Sequence, residues 1–203
     1  MKKHEEIFQF NEIDIHLWIP DQAELQFAYR EDAMQTAFPY WAKLWPAAFV
    51  LTNFLLDHPD LIKNKSVVEI AGGLGLPSLF ASRLASNVIC SDYDAKAVAF
   101  IEDNIALNGI RNMVAAQIDW TDFPSTLEFD LLILSDVNYN PGDFDILLKL
   151  IENMLAKGVS IILSTPQRLA GRRFVEQLIP FCVLNEEIWW KQIAVNVLVL
   201  KNQ

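Results

Sequence analysis

From Ser66 onward, short apolar runs alternate with segments of helical periodicity, and this alternation leaves few folds open to the chain. Five runs are predicted to be strands, and the last two are almost continuously apolar, as expected for strands covered by helices on both faces. Strands joined by right-handed helical crossovers form a doubly wound, mostly parallel sheet, so the sequence predicts an α/β fold. The predicted strands are Ser66–Ile70, Asn87–Asp92, Met113–Asp119, Phe129–Val137 and Val159–Thr165. The predicted helices between and after them are Leu76–Leu84, Ala95–Asn108, Gly142–Ala156 and Arg168–Ile179.

The alternation ends after the last of these helices. Phe181–Lys191 and Gln192–Lys201 are two consecutive strand-like segments with no room for a helix between them. A C-terminal hairpin is therefore predicted, which adds an antiparallel strand and brings the sheet to seven strands. Ahead of the sheet, the sequence predicts a strand-like segment at Ile7–Ile19 and an apolar helix at Ala47–Leu56.

Length and composition point to one globular domain over residues 1–203. Hydrophobic residues make up 52% of the chain and charged residues 21%, which favours a buried core over disorder. No linker or repeat divides the sequence, so residues 1–45 are expected to be an N-terminal extension of a core at 46–203. No apolar run reaches the roughly 20 residues of a membrane span, and acids stand where a signal peptide needs its apolar stretch. We expect a cytoplasmic protein without a membrane partner.

The chain is acidic, with a formal net charge of −10 and no cluster of lysine and arginine. Because nucleic acid binding depends on basic patches that neutralise phosphates, this composition argues against DNA or RNA as a partner. A negative field favours cationic ligands, although solubility alone explains the acidity equally well. The histidines and cysteines show no metal-ligand spacing, so no metal site is predicted. For Cys90 and Cys182, two buried reduced thiols are favoured over a disulfide.

The run Val67–Gly75 predicts a strand that leads into a glycine-rich turn and then a helix. Glycines permit positive φ angles and close approach of the backbone to a ligand, which suits a nucleotide-like cofactor at the end of this strand. The dinucleotide pattern G-x-G-x-x-G fails, because Ser78 stands at its third glycine position. Glu69 would repel a phosphate and favours a cationic group, such as an ammonium or a sulfonium. The alternative is an ordinary βα turn without a ligand.

Two further strand ends carry acids that suit a nucleoside. Asp92 ends the second strand and is available to ribose hydroxyls, because Asp94 is placed to cap the next helix. At the end of the third strand, the ring of Trp120 could flank an adenine while the carboxylate of Asp119 accepts from the adenine amine. The alternative interpretation of Trp120 is core packing.

The fourth strand ends in an acid and an aromatic residue that suit an amine. Asp136 follows a nearly continuous apolar run and is expected at the carboxyl edge of the sheet, where ligands bind in this architecture. Tyr139 reaches the same space, so the two side chains could hold an amine by charge and by a cation–π contact. The alternative is a loop acid beside a packing tyrosine.

In this order the motifs resemble the class I, seven-β-strand methyltransferases. Glu69–Gly75 is similar to the pattern E-x-G-x-G-x-G of that class, with Ala71 in place of the first glycine. Within the class, the acid–Trp pair Asp119-Trp120, the D-x-x-Y run Asp136–Tyr139 and the W-P segment Phe38–Pro46 resemble one branch. That branch contains protein lysine methyltransferases and is called nicotinamide-N-methyltransferase-like. The group that modifies the β-subunit of electron-transfer flavoprotein is especially similar.

This resemblance implies S-adenosylmethionine as the cofactor. It assigns the methionine end of the cofactor to Glu69 and Gly73, the ribose to Asp92, and the adenine to Asp119 with Trp120. Asp136 and Tyr139 become the catalytic pair at the acceptor amine. The further cofactor-binding residues that it implies are Trp45, Ala71, Gly75, Tyr93 and Ser135.

The function predicted at this point is N-methylation of a lysine side chain in a protein substrate. One alternative is N-methylation of a small-molecule amine or pyridine, which would use the same cofactor and the same acid. A second alternative is a cofactor-binding protein without catalysis, although such a protein need not keep the acid–aromatic pair. An NAD-dependent oxidoreductase is the remaining alternative.

Overall fold

The computed structural model describes residues 1–31 and 38–202 of the chain. Two strands and two helices precede the sheet predicted from the sequence. The elements of this N-terminal part are β1 Lys3–Phe10, β2 Ile13–Pro20, α1 Gln22–Glu31 and α2 Pro46–Asp57. The remaining strands are β3 Ser66–Ile70, β4 Asn87–Asp92, β5 Met113–Gln117, β6 Leu131–Ser135, β7 Ser160–Pro166, β8 Cys182–Trp190 and β9 Ile193–Leu200. The remaining helices are α3 Leu76–Ala81, α4 Ala95–Leu107, α5 Phe144–Ala156 and α6 Arg172–Leu178.

Seven strands form one sheet in the order β5-β4-β3-β6-β7-β9-β8. The first five of these strands are parallel, while β9 lies antiparallel between β7 and β8. The doubly wound, mostly parallel α/β fold with a C-terminal antiparallel hairpin is thus confirmed. The winding direction reverses between β3 and β6, and in such sheets ligands bind at the carboxyl ends of the strands beside this reversal.

Central strands are apolar throughout because both of their faces are covered. In β6, Leu131 and Ile133 belong to the core layer under α2, α3 and α4, while Leu132 and Leu134 belong to the layer under α5 and α6. Side chains alternate between the two faces of a strand, so a doubly covered strand has no solvent-facing position. This explains why the strand could be recognised as a nearly uninterrupted apolar run.

The N-terminal segment Ile7–Ile19, predicted as one strand-like stretch, is instead part of a hairpin. β1 and β2 pair antiparallel around a turn at Asn11, whose φ angle is 51°. The inward side chains of β2, Ile15 and Leu17, are fully buried, and the strand packs against α4. Asparagine tolerates the left-handed conformation, so the turn forms without the glycine or proline that marks most turns in a sequence.

Asn104, in α4, joins this hairpin to the core. The side chain is fully buried, and its Oδ1 accepts a hydrogen bond of 2.7 Å from the backbone N–H of Trp18. Its Nδ2 donates at 3.0 Å to the carbonyl oxygen of Leu74, in the turn that follows β3. One amide group therefore satisfies a hairpin donor and a carbonyl of the glycine turn at the same time.

Element boundaries differ from the sequence-based expectation mainly at the carboxyl ends of strands. β5 ends at Gln117 rather than at Asp119, because the chain enters a short 3-10 turn at Trp120–Asp122. α6 begins at Arg172 rather than at Arg168, so residues 167–171 form a loop. The N-cap role of Asp94 is confirmed, since its carboxylate accepts from the N–H of Lys96 at 2.8 Å.

Both cysteines are free thiols, and Cys90 is buried whereas Cys182 is only partly so. Among the described residues, no helix combines the length and the apolar character needed to cross a membrane.

Replacing Asn104 by alanine is expected to lower the free energy of unfolding by about 2–4 kcal/mol, because a buried N–H and a buried carbonyl oxygen both lose their partner. Equilibrium unfolding in urea measures this change. Asn153→Ala, at an exposed position of α5, is the matched control and should change the stability by no more than about 0.5 kcal/mol. Equal stability of the two variants would contradict the linking role of Asn104.

Candidate active site

A cavity of about 290 Å³ opens at the carboxyl ends of β3, β4 and β6, beside the point where the winding direction reverses. The structure brings most of the predicted site residues together in its wall. Those residues are Trp45, Glu69, Ala71, Gly73, Asp92, Tyr93, Trp120, Ser135, Asp136 and Tyr139. Gly75 and Asp119 are absent from this wall.

The turn after β3 is built from residues in the left-handed conformation. Ala71, Gly73 and Gly75 have φ angles of 56°, 59° and 81°. Ala71 adopts this conformation at a cost of about 1 kcal/mol, which the first glycine of the E-x-G-x-G-x-G pattern would avoid. At Gly73 a Cβ would stand 3.0 Å from the carbonyl oxygen of Trp41, so glycine also keeps this approach open.

Gly75 serves the turn itself rather than the cavity. Its N–H donates at 2.8 Å to the carbonyl oxygen of Gly72, and its own carbonyl accepts at 2.9 Å from Leu79 in the first turn of α3. Gly75 is the N-cap of α3, and its positive φ turns the chain from the end of β3 into this helix. In this structure Gly75 turns the chain into α3, and its contact with a cofactor stays a prediction.

Glu69 is fully buried, and only one of its carboxylate oxygens is satisfied by the protein. Oε2 accepts from the backbone N–H of Ser78 at 3.2 Å and from the hydroxyl of the same residue, while Cys90 Sγ lies 3.6 Å away. Oε1 has no hydrogen-bond partner among the residues that the structure describes. Burial raises the pKa of Glu69 to about 7. Glu69 is one of the residues that line the cavity, and its unpartnered oxygen is suited to a cationic donor.

Asp92 is also buried, and it fixes the glycine turn against the end of β4. Its Oδ2 accepts from the N–H of Gly73 and its Oδ1 from the N–H of Asp94, both at 3.1 Å. Burial raises the pKa of Asp92 above its ordinary value. Each oxygen retains a further lone pair, so the carboxylate can still accept hydrogen bonds from a ligand in the cavity.

Asp119 and Trp120, predicted as a pair, have different environments because a 3-10 turn begins between them. Asp119 Oδ1 accepts from the N–H and the hydroxyl of Thr121, both at 2.8 Å, so the carboxylate caps the turn outside the cavity. The side chain of Trp120 lines the cavity. An adenine contact is therefore compatible with the position of Trp120, whereas the position of Asp119 does not bring its carboxylate into the wall.

Asp136 comes directly after β6, where the chain takes a φ angle of 56°. Its carboxylate is nearly buried and receives two hydrogen bonds from the guanidinium of Arg168, of which Nη2 to Oδ2 measures 2.8 Å. Arg168 was not among the predicted site residues, because the sequence places it in a helix. The available signal was its position just beyond β7, whose end lies beside that of β6.

Tyr139 lies at the mouth of the cavity and is 43% exposed. Its ring centroid is 5.3 Å from that of Tyr40, which belongs to the segment before α2. Partial burial is the largest cause that raises the pKa of Tyr139 to about 12, so the phenol stays protonated at neutral pH. The side chain can pack against an amine or donate to it, but it is not a base under these conditions.

An aromatic wall from the segment Phe38–Pro46 closes one side of the cavity. Tyr40, Trp41 and Trp45 all line it, and the indole N–H of Trp45 donates at 2.9 Å to the carbonyl oxygen of Tyr40. The ammonium of Lys43 lies 4.6 Å from the ring centre of Trp45. The sequence singled out only Trp45 in this wall, because an aromatic run does not reveal which rings turn inward.

The charges in the wall are three carboxylates and two cations. The carboxylates are Glu69, Asp92 and Asp136, and the cations are Lys43 and Arg168. Within residues 1–31 and 38–202, no group of three or more His, Cys, Asp or Glu side chains is arranged to hold a metal ion. The wall is suited to a ligand that has cationic groups and a flat, aromatic part.

The chain is similar to methyltransferases along most of its length. A family model described as lysine methyltransferase matches residues 21–179. The electron transfer flavoprotein beta subunit lysine methyltransferase of Rattus norvegicus is 32% identical over 155 residues, which are 73% of this chain and 60% of the rat protein. Protein N-terminal and lysine N-methyltransferase EFM7 of Candida glabrata is 29% identical over 185 residues, which are 82% of this chain and 70% of that protein.

Among solved structures, the 16S rRNA N2 G1207 methyltransferase RsmC of T. thermophilus, in complex with AdoMet and guanosine, has a TM-score of 0.67. At 13% identity, over 98% of this chain and 50% of that one, the likeness is one of fold. The chain spans 60%, 55% and 42% of the length of the rat, mouse and human flavoprotein-modifying relatives. Because the family model matches well over half of the chain and includes every residue of the cavity wall, the chain belongs to the lysine methyltransferase family.

Proposed function

We propose that the protein transfers a methyl group from S-adenosylmethionine to a lysine side chain of a protein substrate. The observation that carries the proposal is the single cavity in which the glycine turn, the half-satisfied carboxylate of Glu69 and the pair of Asp136 and Tyr139 meet. Family membership supports the methyl transfer, and the names of the related enzymes support a protein as acceptor.

The residues of the cavity fit this cofactor. The unpartnered Oε1 of Glu69 would accept from the α-ammonium. Gly73, whose missing Cβ lets the backbone of Trp41 approach the turn, would contact the methionine part. Asp92 would accept from the ribose hydroxyls, and Trp120 would contact the adenine face. The ammonium and the sulfonium are cationic, which agrees with Glu69 and Asp92, the carboxylates of the wall that Arg168 does not engage.

The cofactor, when bound, supplies an electrophilic methyl group on a sulfonium sulfur. A protonated lysine, with an ordinary pKa of about 10.4, has no lone pair for attack. Asp136 would attract and orient the ammonium, and burial in the cavity would lower the pKa of the amine so that a proton can leave to water. Tyr139 remains a neutral phenol, so it would shape the pocket and bond the amine without removing its proton. Positioning and exclusion of water are the contributions of the protein.

Asp136→Asn is expected to lower the kcat/KM for methyl transfer about a hundredfold, because a charged contact to the acceptor amine is lost. Purified protein, labelled S-adenosylmethionine and lysate protein measure the transfer, and amino acid analysis locates the label on lysine. Asp60→Asn, an exposed acid far from the carboxyl edge, is the control and should leave the rate unchanged.

Three results, from this experiment and from binding measurements, would contradict the proposal in different ways. Label found only in small molecules would indicate a metabolite amine as the acceptor. Binding of the cofactor without any transfer would indicate a cofactor-binding protein without catalysis. A calorimetric titration in which neither S-adenosylmethionine nor its demethylated product binds would exclude both kinds of enzyme.

Gly73→Ala is expected to weaken the binding of S-adenosylmethionine about tenfold or more. The added Cβ would stand 3.0 Å from a backbone oxygen at a φ angle of 59°, so the turn has to shift. Isothermal titration calorimetry measures the dissociation constant. Gly142→Ala is the matched control, because its Cβ would meet only ordinary contacts at 3.5 Å and its φ angle is unstrained. Equal affinities of the two variants would show that the turn does not contact the cofactor.

The affinity for S-adenosylmethionine is expected to increase as the pH rises from 5 to 7. The raised pKa of Glu69, about 7, means that the ligand-free carboxyl group is mostly protonated at the lower pH, whereas the cation binds its ionised form. Binding then releases a proton, so the affinity rises by up to about tenfold per pH unit below this pKa. Glu69→Gln should bind more weakly and with a flatter pH profile. Parallel profiles for both proteins would exclude this role of Glu69.

A further inference from the structure

A second depression adjoins the cavity at the loop between β7 and α6, and we call it the arginine groove. It has a volume of about 390 Å³, and its wall includes Arg168, Leu169, Arg172, Val175, Glu176 and Ile179. Arg168 lines both the groove and the cavity. A polypeptide whose lysine enters the cavity past Tyr139 therefore has this groove as a neighbouring surface for the residues beside the lysine.

The loop that carries Arg168 is held by contacts on both sides of this residue. The N–H of Gln167 donates at 3.0 Å to the carbonyl oxygen of Ala194 in β9. The loop packs so closely on buried Asn138 that a Cβ at Gly171 would lie 2.9 Å from Nδ2 of that side chain. Thr165 holds the same amide in place, since its hydroxyl donates to Asn138 Oδ1 at 2.7 Å.

The ion pair of Arg168 and Asp136 conflicts with the arrival of a lysine. Both oxygens of Asp136 are engaged by the guanidinium, so an entering ammonium would bring a second cation to one nearly buried carboxylate. The side chain of Asp136 is 7% exposed and that of Arg168 is 36% exposed. Arg168 is thus the partner that can turn away, and the space beside it is the groove.

A guanidinium that turns into the groove needs an anion there. The groove already contains Arg172, which donates from Nε to Glu176 Oε1 at 2.8 Å. With Arg168 released from Asp136, two guanidinium groups would share one carboxylate, and the groove would have an uncompensated positive charge. One additional carboxylate would balance it, and arginine binds carboxylates through two parallel hydrogen bonds.

We propose that the arginine groove binds the polypeptide next to the target lysine, and that Arg168 exchanges Asp136 for an acidic side chain of that polypeptide. The inference rests on the proposed function and adds the substrate class, which is a lysine with an aspartate or glutamate nearby. The apolar part of the groove, which includes the 94% exposed Leu169, contacts the rest of the segment. Selectivity follows because a lysine without such an acid leaves Arg168 only the carboxylate of Glu176, which Arg172 already engages.

Synthetic peptides test this exchange. Each has one central lysine among small neutral residues, with a single glutamate moved through the four positions on either side, and a matched set has arginine instead. Methyl transfer is measured with labelled cofactor, and binding is measured by calorimetry on the protein saturated with S-adenosylhomocysteine. At one or two positions, glutamate is expected to raise kcat/KM and affinity about tenfold or more, since a charged hydrogen bond is gained.

Variants of Arg168 connect this preference to the groove. In Arg168→Gln the ratio between the glutamate peptides and the neutral peptides should fall to nearly one, while Arg168→Lys should keep part of it, because the charge remains without the two-pronged geometry. The control is Arg83→Gln, an exposed arginine in the turn that precedes the amino end of β4, and it should keep the full preference. Thermal unfolding of each variant confirms that the fold is retained.

The outcomes separate this inference from the proposed function. Peptides methylated or bound without regard to the glutamate, a preference for arginine, or a preference that survives Arg168→Gln would each overturn the inference alone. Labelled lysate protein without transfer to any peptide would overturn it too, because recognition would then not depend on the residues beside the lysine. Absence of label from every fraction would overturn the proposed function.

Discussion

The attachment of the glycine turn to the end of β4 determines where everything else in the cavity lies. Gly72 donates to the carbonyl oxygen of Ser91, and Gly73 donates to the carboxylate of Asp92. These bonds hold the turn that follows Glu69, and Glu69 and the aromatic wall line the same cavity. Asn104 extends the same arrangement outward, because it bonds both the turn and the N-terminal hairpin. The site therefore depends on backbone geometry, and the side chains that would contact ligands are added to a frame that is already fixed.

The sheet was predictable because its strands are constrained by burial on both faces. β3 and β4 have the bounds that the apolar runs predict, and only strands covered on both sides give such a clear signal. The N-terminal hairpin was predicted as a single segment, since its turn at Asn11 uses a left-handed asparagine instead of glycine. Helix α1 was not predicted at all. Among its residues with described side chains only Leu25 is buried, so no apolar stripe marks it.

Sequence reasoning placed the wall of the cavity well, because residues at the carboxyl ends of parallel strands meet at one edge. It could not choose between residues within a turn. The carboxylate of Asp119 caps a 3-10 turn and is not part of the cavity wall, whereas Trp120 beside it lines the cavity. The pairing of Asp136 with Arg168 was also out of reach, because it joins residues 32 positions apart through the neighbouring ends of β6 and β7. Contacts of this kind depend on where a loop bends, and apolar periodicity does not contain that information.

The left-handed backbone at Asp136 restricts which residues can replace it. A φ angle of 56° is open to glycine and, at modest cost, to asparagine and aspartate, whereas branched and bulky side chains are strained there. Of these three, aspartate alone is charged. A descendant of this sequence that keeps the loop can therefore remove the negative charge at this position of the cavity wall, but a positively charged residue would be strained there. A reversal of the charge on this side of the cavity would therefore have to arise at another residue of the wall.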